Sequence, residues 1–191
     1  MTVALVLLGS VSTPARMARA DVCVSGLADW EVARGRLFAA ESCGAFYATA
    51  TPLQSTFAYG DFGYRTSVRL PFDMGVTWRR LGPDSHRPLE LRILGGLLLF
   101  KDGAYGLYLH DDARFQGKDG WRELAGFRTH DVHTVLVHQT EASVSLTIDG
   151  KLVDVWSYRA PIKSGRVGLA MKAAAGYRSL VWFRDFRAAS Q

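Results

Sequence analysis

From residue 35 onward, apolar and polar residues alternate with period two or gather into short apolar runs cut by turn residues. Such a pattern belongs to strands that bury one face. It predicts strands over 35–40, 45–50, 62–70, 75–81, 89–94, 97–101 and 105–110. Further strands follow over 121–125, 133–139, 143–148, 152–156, 167–172 and 180–187. The clearest unit is Val144-Ser-Leu-Thr-Ile-Asp-Gly-Lys-Leu-Val-Asp-Val-Trp156. Val144, Leu146 and Ile148 face one way, Ser145 and Thr147 the other, and Asp149-Gly150 suits the positive φ angles of a type I′ hairpin turn. No segment sustains a 3.6-residue period. Asp29 could cap one helical turn over 29–34, and 172–175 has local helix propensity between two predicted strands.

About a dozen short antiparallel strands must each bury one face, and a single sheet cannot hide its own apolar side. The expected fold class is therefore all-β, a two-sheet antiparallel jelly-roll sandwich with little helix. The chain shows no linker, repeat or shift of composition after residue 21, so 21–191 reads as one domain.

Composition narrows the function classes. The 191 residues are 48% hydrophobic and 21% charged, which is globular rather than disordered. No apolar run approaches the ~20 residues of a spanning helix. The start of the chain, Val3-Ala-Leu-Val-Leu-Leu-Gly-Ser-Val11 followed by Pro14 and Ala18-Arg-Ala20, reads as a signal peptide over 1–20, although no basic residue precedes the apolar run. Cleavage after Ala20 would send the protein to a secreted or periplasmic location. It would also remove Arg16 and Arg19 from a formal net charge of only +5. The remaining Lys and Arg are spread along the chain, so a nucleic-acid partner is not expected. Cys23 and Cys43 are the two cysteines. In an exported chain they are expected to form one disulfide worth about 3 kcal/mol, and in a cytosolic one they would be buried thiols. Two thiols without a Cys-x-x-Cys partner do not make a zinc site.

The hairpin 144–156, followed by Ser164-Gly-Arg-Val-Gly-Leu169, resembles the closing half of the concanavalin A-like lectin/glucanase jelly roll, including its laminin-G-like members. The ending Val181-Trp-Phe-Arg-Asp-Phe-Arg187 resembles the last strand of the 3-keto-disaccharide hydrolase-like subgroup. Gly75-Val-Thr-Trp-Arg79 and Leu89-Glu-Leu-Arg-Ile-Leu94 resemble two further segments of that subgroup. Asp73-Met74, Arg92 and Gly95 depart from its pattern. The resemblance implies carbohydrate as partner, and the subgroup implies action on 3-keto-glycosides.

Candidate residues follow from parity. The Glu-x-Asp-x-(x)-Glu strand of the glucanases is missing, which argues against a two-carboxylate glycosidase. Glu90 and Arg92 share one face of their strand while Leu89, Leu91 and Ile93 share the other. If strands 75–81 and 89–94 pair, Arg79 could lie across from Glu90. Glu90 would then be a base and Arg79 a charge-stabilising donor, should the protein be an enzyme. Alternatively the trio is a surface ion pair worth little. Arg92, Tyr108, His110 and Trp121 are the candidate ligand-binding residues, through guanidinium hydrogen bonds and flat ring faces. Trp156 and Trp182 are expected in the core. Asp102, Asp111, Asp112 and Asp119 lie in turn-rich segments and could ligate calcium, or could simply be solvated turn residues. His133 and His138 have opposite parity, and Gly-x-Ser-x-Gly and nucleotide-binding loops are absent. The expectation is an exported carbohydrate-binding jelly-roll domain. The alternatives are a hydrolase or lyase acting on 3-keto-glycosides and a structural envelope or matrix interaction module.

Overall fold

The computed structural model describes residues 26–40, 45–54, 57–82, 87–109, 120–157, 162–174 and 179–191. A 3-10 turn, Gly26–Asp29, leads into antiparallel strands that form two stacked sheets. One sheet takes β1 (Trp30–Arg34), β4 (Thr51–Gln54), β5 (Phe57–Arg69), β7 (Leu89–Ile93), β8 (Gly96–Lys101), β9 (Ala104–Leu109), β10 (Arg122–Glu123) and β14 (Ser164–Ala174). Its order is β1-β5-β14-β7-β8-β9-β10, with β4 paired to β5. The other takes β2 (Arg36–Ala39), β3 (Ala45–Thr49), β6 (Phe72–Arg80), β11 (His133–Gln139), β12 (Ser143–Ile148), β13 (Lys151–Ser157) and β15 (Leu180–Ser190), in the order β13-β12-β11-β6-β15-β3-β2.

Period-two burial explains the stacking. On β7, Leu89, Leu91 and Ile93 join the core; on β11 and β12, so do Val135, Val137, Val144, Leu146 and Ile148. Aromatic pairs cross between the sheets: Trp30 with Phe183 at 5.3 Å, Trp78 with Phe100 at 5.1 Å and Tyr105 with Trp156 at 5.9 Å between ring centroids. Such edge-on contacts add to the burial of large rings. Buried Gln139 clamps the two layers, its amide accepting from Leu94 N at 3.1 Å and donating to Leu94 O at 2.8 Å. At one edge Asp154 of β13 accepts from Tyr105 and pairs with Arg122.

The predicted turn at 149–150 is present, with φ of 50° at Asp149 and 79° at Gly150. Three local expectations need correction. Trp30–Arg34 is a strand and not a helical turn, because Trp30 reaches the core and pairs with Tyr64 on β5. Residues 172–174 continue strand β14, whose pairing with β5 overrides helix propensity. Trp182 lies on the outer face rather than in the core, since Val181 and Phe183 on either side take the inward positions. There its ring is flanked by Arg79 and Arg184, at 5.7 and 5.5 Å from the centroid. Among the described residues no helix is long and apolar enough to cross a membrane.

Candidate functional site

The outer face of the eight-stranded sheet carries most of the residues singled out from the sequence. Cross-strand register places Asp61, Ala170, Glu90, Leu99 and Gly106 in one row, running β5-β14-β7-β8-β9. The next row is Gly63, Gly168, Arg92, Leu97 and Tyr108. Because Ala170 and Gly168 present little or no side chain, Arg92 reaches over β14, and its Nη2 meets Asp61 Oδ2 at 2.5 Å. Glycine at 168 is also what lets β14 and β5 approach closely, since a Cβ there would lie 2.2 Å from Phe62 O.

Glu90 is the unusual member. It points outward by parity and yet is 0% exposed. Among the described residues neither of its carboxylate oxygens has a hydrogen-bond partner. Lys172 Nζ, on β14, stands 3.4 Å from Oε1 as an ion contact without hydrogen-bond geometry. Burial pushes the Glu90 carboxyl above the usual carboxylate range, and Lys172 only partly opposes it. One Asp61 oxygen, Oδ1, is buried without a partner as well. Tyr59, paired with Lys172 across the strands, completes the cluster. Burial, reinforced by the nearby Glu90 and Asp61 charges, pushes its phenol up to about 12, so it remains a hydrogen-bond donor at neutral pH.

Toward the β10 edge, Trp121 lays its ring against Lys101, with Nζ 4.2 Å from the ring centroid. Lys101 shares the outer parity of Leu97 and Leu99 on β8, so Trp121 borders the same face as Glu90, Arg92 and Tyr108. Glu90, Arg92, Tyr108 and Trp121 are thus brought to one surface. Arg79 is not: β6 pairs with β11 and β15 in the other sheet, so strands 75–81 and 89–94 are not neighbours. Arg79 sits on the opposite outer face against Trp182. The expected Arg79–Glu90 arrangement is therefore corrected, and Arg92, Asp61 and Lys172 are the charged groups around Glu90. His110, Cys23, Cys43, Asp111, Asp112, Asp119 and the segment 1–20 lie outside the described residues. Asp102 accepts hydrogen bonds from Thr129 N and Oγ1, both at 2.7 Å, which accounts for it as a turn residue. Among the described residues no group of three or more His, Cys, Asp or Glu could hold a metal ion.

Asp61, Lys172 and Tyr59 were missed in the sequence. The readable signal was the alternation Tyr59-Gly60-Asp61-Phe62, which extends β5 toward the N-terminus beyond the predicted start at 62.

No protein-family model matches the chain, and no curated protein matches its sequence. Solved structures do match in shape. A sialidase superposes with TM-score 0.61 at 11% identity over 88% of this chain, which spans 17% of the sialidase. A variant of alginate lyase A1-II′ superposes with TM-score 0.59 at 12% identity, over 85% of this chain and 95% of the lyase. The carbohydrate recognition domain of Emp46p, in its metal-free form, gives TM-score 0.58 at 12% identity, over 83% of this chain and 88% of that domain. The chain has the concanavalin A-like jelly-roll fold. At these identities the likeness establishes the fold alone, and the chemistry rests on the residues of the outer face.

Proposed function

We propose that the outer face of the eight-stranded sheet is a carbohydrate-binding surface, centred on Glu90 and Arg92 and bordered by Tyr108 and Trp121. The observation that carries this reading is Glu90. A fully buried carboxyl without hydrogen-bond partners lowers the stability of the fold unless something else uses it. Sugar hydroxyls, which both donate and accept, satisfy a carboxylate and a guanidinium together once the half-exposed Lys172 turns aside and opens the buried Glu90 carboxyl. Gly63 and Gly168 leave the floor on the β5–β14 side of Arg92 without side chains, and Leu97 and Leu99 of β8 form an apolar floor between Arg92 and Tyr108. Tyr108 and Trp121 offer ring faces of the kind that suit the C–H face of a pyranose. Structural neighbours described as a carbohydrate recognition domain and an alginate lyase support the same partner class. The apolar run Val3–Val11 supports export.

The enzymatic alternative, a hydrolase or lyase on 3-keto-glycosides, keeps Glu90 as its base but loses Arg79, which stands on the other side of the sandwich. Binding is therefore the favoured reading.

Screening of the purified chain on a glycan array tests it. The wild type should bind a defined set of glycans. Arg92→Ala and Trp121→Ala should each weaken that binding about tenfold or more, the usual effect of losing a charge-assisted hydrogen bond or a stacking ring. Arg79→Ala should leave it unchanged. A folded wild type that binds no glycan would remove the proposal in favour of a protein-interaction module.

A further inference from the structure

The outer face of the seven-stranded sheet holds a groove of about 460 Å³. Its origin is local. Gly75 lies between Leu136 on β11 and Arg187 on β15 in the cross-strand register. A Cβ at Gly75 would come 2.9 Å from Leu136 Cδ2 and 3.2 Å from Arg187 Nε, so the arginine stem packs down where a side chain is missing. The irregularity between Arg184 and Arg187, with φ of 54° at Asp185, sets Arg187 on this outer face. Arg187 forms no hydrogen bond or ion pair among the described residues. Its guanidinium therefore lines the groove without a hydrogen bond among the described residues, near enough to Asp73 for its charge to be felt there.

Across the groove stands the row Asp73, His138 and Ser145, from β6, β11 and β12. His138 Nδ1 and Asp73 Oδ1 are 2.8 Å apart, and Gln191 Nε2 donates to Asp73 Oδ2 at 2.6 Å. The Gln191 bond, outweighing a small burial effect and aided by His138 and by the Arg187 charge, holds the Asp73 carboxyl below its ordinary range, so it stays an acceptor. Ser145 and Thr147 add hydroxyls to the lining, and Leu136 and Ala189 supply apolar surface.

We infer that this groove is a second saccharide site, selective for a sugar that bears a carboxylate. The volume lies within the range of small-molecule sites. Arg187 matches a planar carboxylate with paired N–H donors. The hydroxyl and carboxylate row opposite it matches ring hydroxyls, and the apolar floor matches a pyranose C–H face. A simple anion would leave the row unused, and a neutral sugar would leave Arg187 unpaired. The site is on the opposite side of the sandwich from Glu90 and Arg92, so it stands or falls independently of that surface. Two saccharide sites on opposite faces would let one chain bridge two glycans.

Titration of the uniformly 15N-labelled full chain with glucuronate, glucose and acetate tests this, reading the amide shifts of Asp73, His138 and Ser145. Glucuronate should shift these signals saturably, with affinity about tenfold or more above glucose and acetate. Arg187→Gln should remove that preference, and Gly75→Val should abolish binding by pushing Leu136 and the Arg187 stem out of place. A near-identical dispersion of the remaining amide signals verifies that Arg187→Gln is folded. Arg92→Ala should leave the affinity read at these three residues unchanged, even when array binding at the other face is lost. Equal binding of acetate and glucuronate, or an unchanged preference in Arg187→Gln, would overturn the assignment. So would a concentration-dependent dimer, seen by sedimentation and dissolved by Val155→Asp, because a second copy would then cover the groove beside the exposed Leu152 and Val155.

Discussion

Gly168→Ala should destabilise the protein by about 3 kcal/mol or more, lowering Tm by roughly 10 °C, as measured by thermal unfolding followed by circular dichroism. A Cβ at residue 168 would stand 2.2 Å from Phe62 O and 3.1 Å from Gly63 Cα. Both are backbone atoms, so no rotamer change relieves the contact, and β14 must separate from β5. That pairing lies inside the eight-stranded sheet and holds Ala170 beneath the Asp61–Arg92 bridge. The variant should therefore lose glycan affinity as well as stability. Gly150→Ala is the contrast. Residue 150 has a positive φ of 79° but open space around it, so only backbone strain opposes the change. The expected loss is about 1 kcal/mol, with the face intact. Equal losses in the two variants would show that β5 and β14 are not packed as described.

The second large effect is electrostatic. Glu90 has a raised folded-state pKa because burial disfavours the carboxylate, with Lys172 opposing. An acid whose folded pKa exceeds its unfolded value binds more protons in the native state, so stability falls with rising pH across the interval between the two values. The contribution of Glu90 is thus fully favourable below the ordinary glutamate range near pH 4.5 and is lost as pH rises through the raised folded value. Glu90→Leu removes this dependence. It should be more stable than the wild type at pH 7 by about 1–3 kcal/mol, the usual penalty of an unsatisfied buried polar group. Lys172, 44% exposed, can turn to solvent when its partner goes. The same variant should lose glycan binding, which separates a functional carboxyl from a structural one. Urea denaturation from pH 4 to 8 measures the first effect, and a flatter wild-type profile than that of Glu90→Leu would contradict it.

Most of the architecture was legible because alternation states directly which side chains must be buried, as in Val144–Ile148 and Leu89–Ile93. Trp30–Arg34 was hidden by local chemistry: Asp29 looks like a helix cap, and only the distant partners Tyr64 and Phe183 reveal Trp30 as core. The site was half legible. Parity on one strand put Glu90 beside Arg92, and nothing more than local sequence is needed for that. Asp61 and Lys172 arrive from β5 and β14, strands far apart in the chain, and no local pattern announces that β7 lies against β14. Arg79 failed for the converse reason. Its strand precedes β7 in sequence, but the chain crosses to the other sheet between β6 and β7, so closeness along the chain was a poor guide to pairing there. Trp182 shows that alternation outranks size, since the apolar neighbours Val181 and Phe183 assign it to the outside.

The decisive measurement is a crystal structure of the chain with a glycan taken from the array. The account predicts sugar density over the row Gly63, Gly168, Arg92 and Tyr108, with hydroxyls on the Glu90 carboxyl and Arg92, and with Trp121 at the margin. A high-affinity glycan seated at the strand ends, or an eight-stranded face left empty with Glu90 untouched whatever occupies the other sheet, would contradict it.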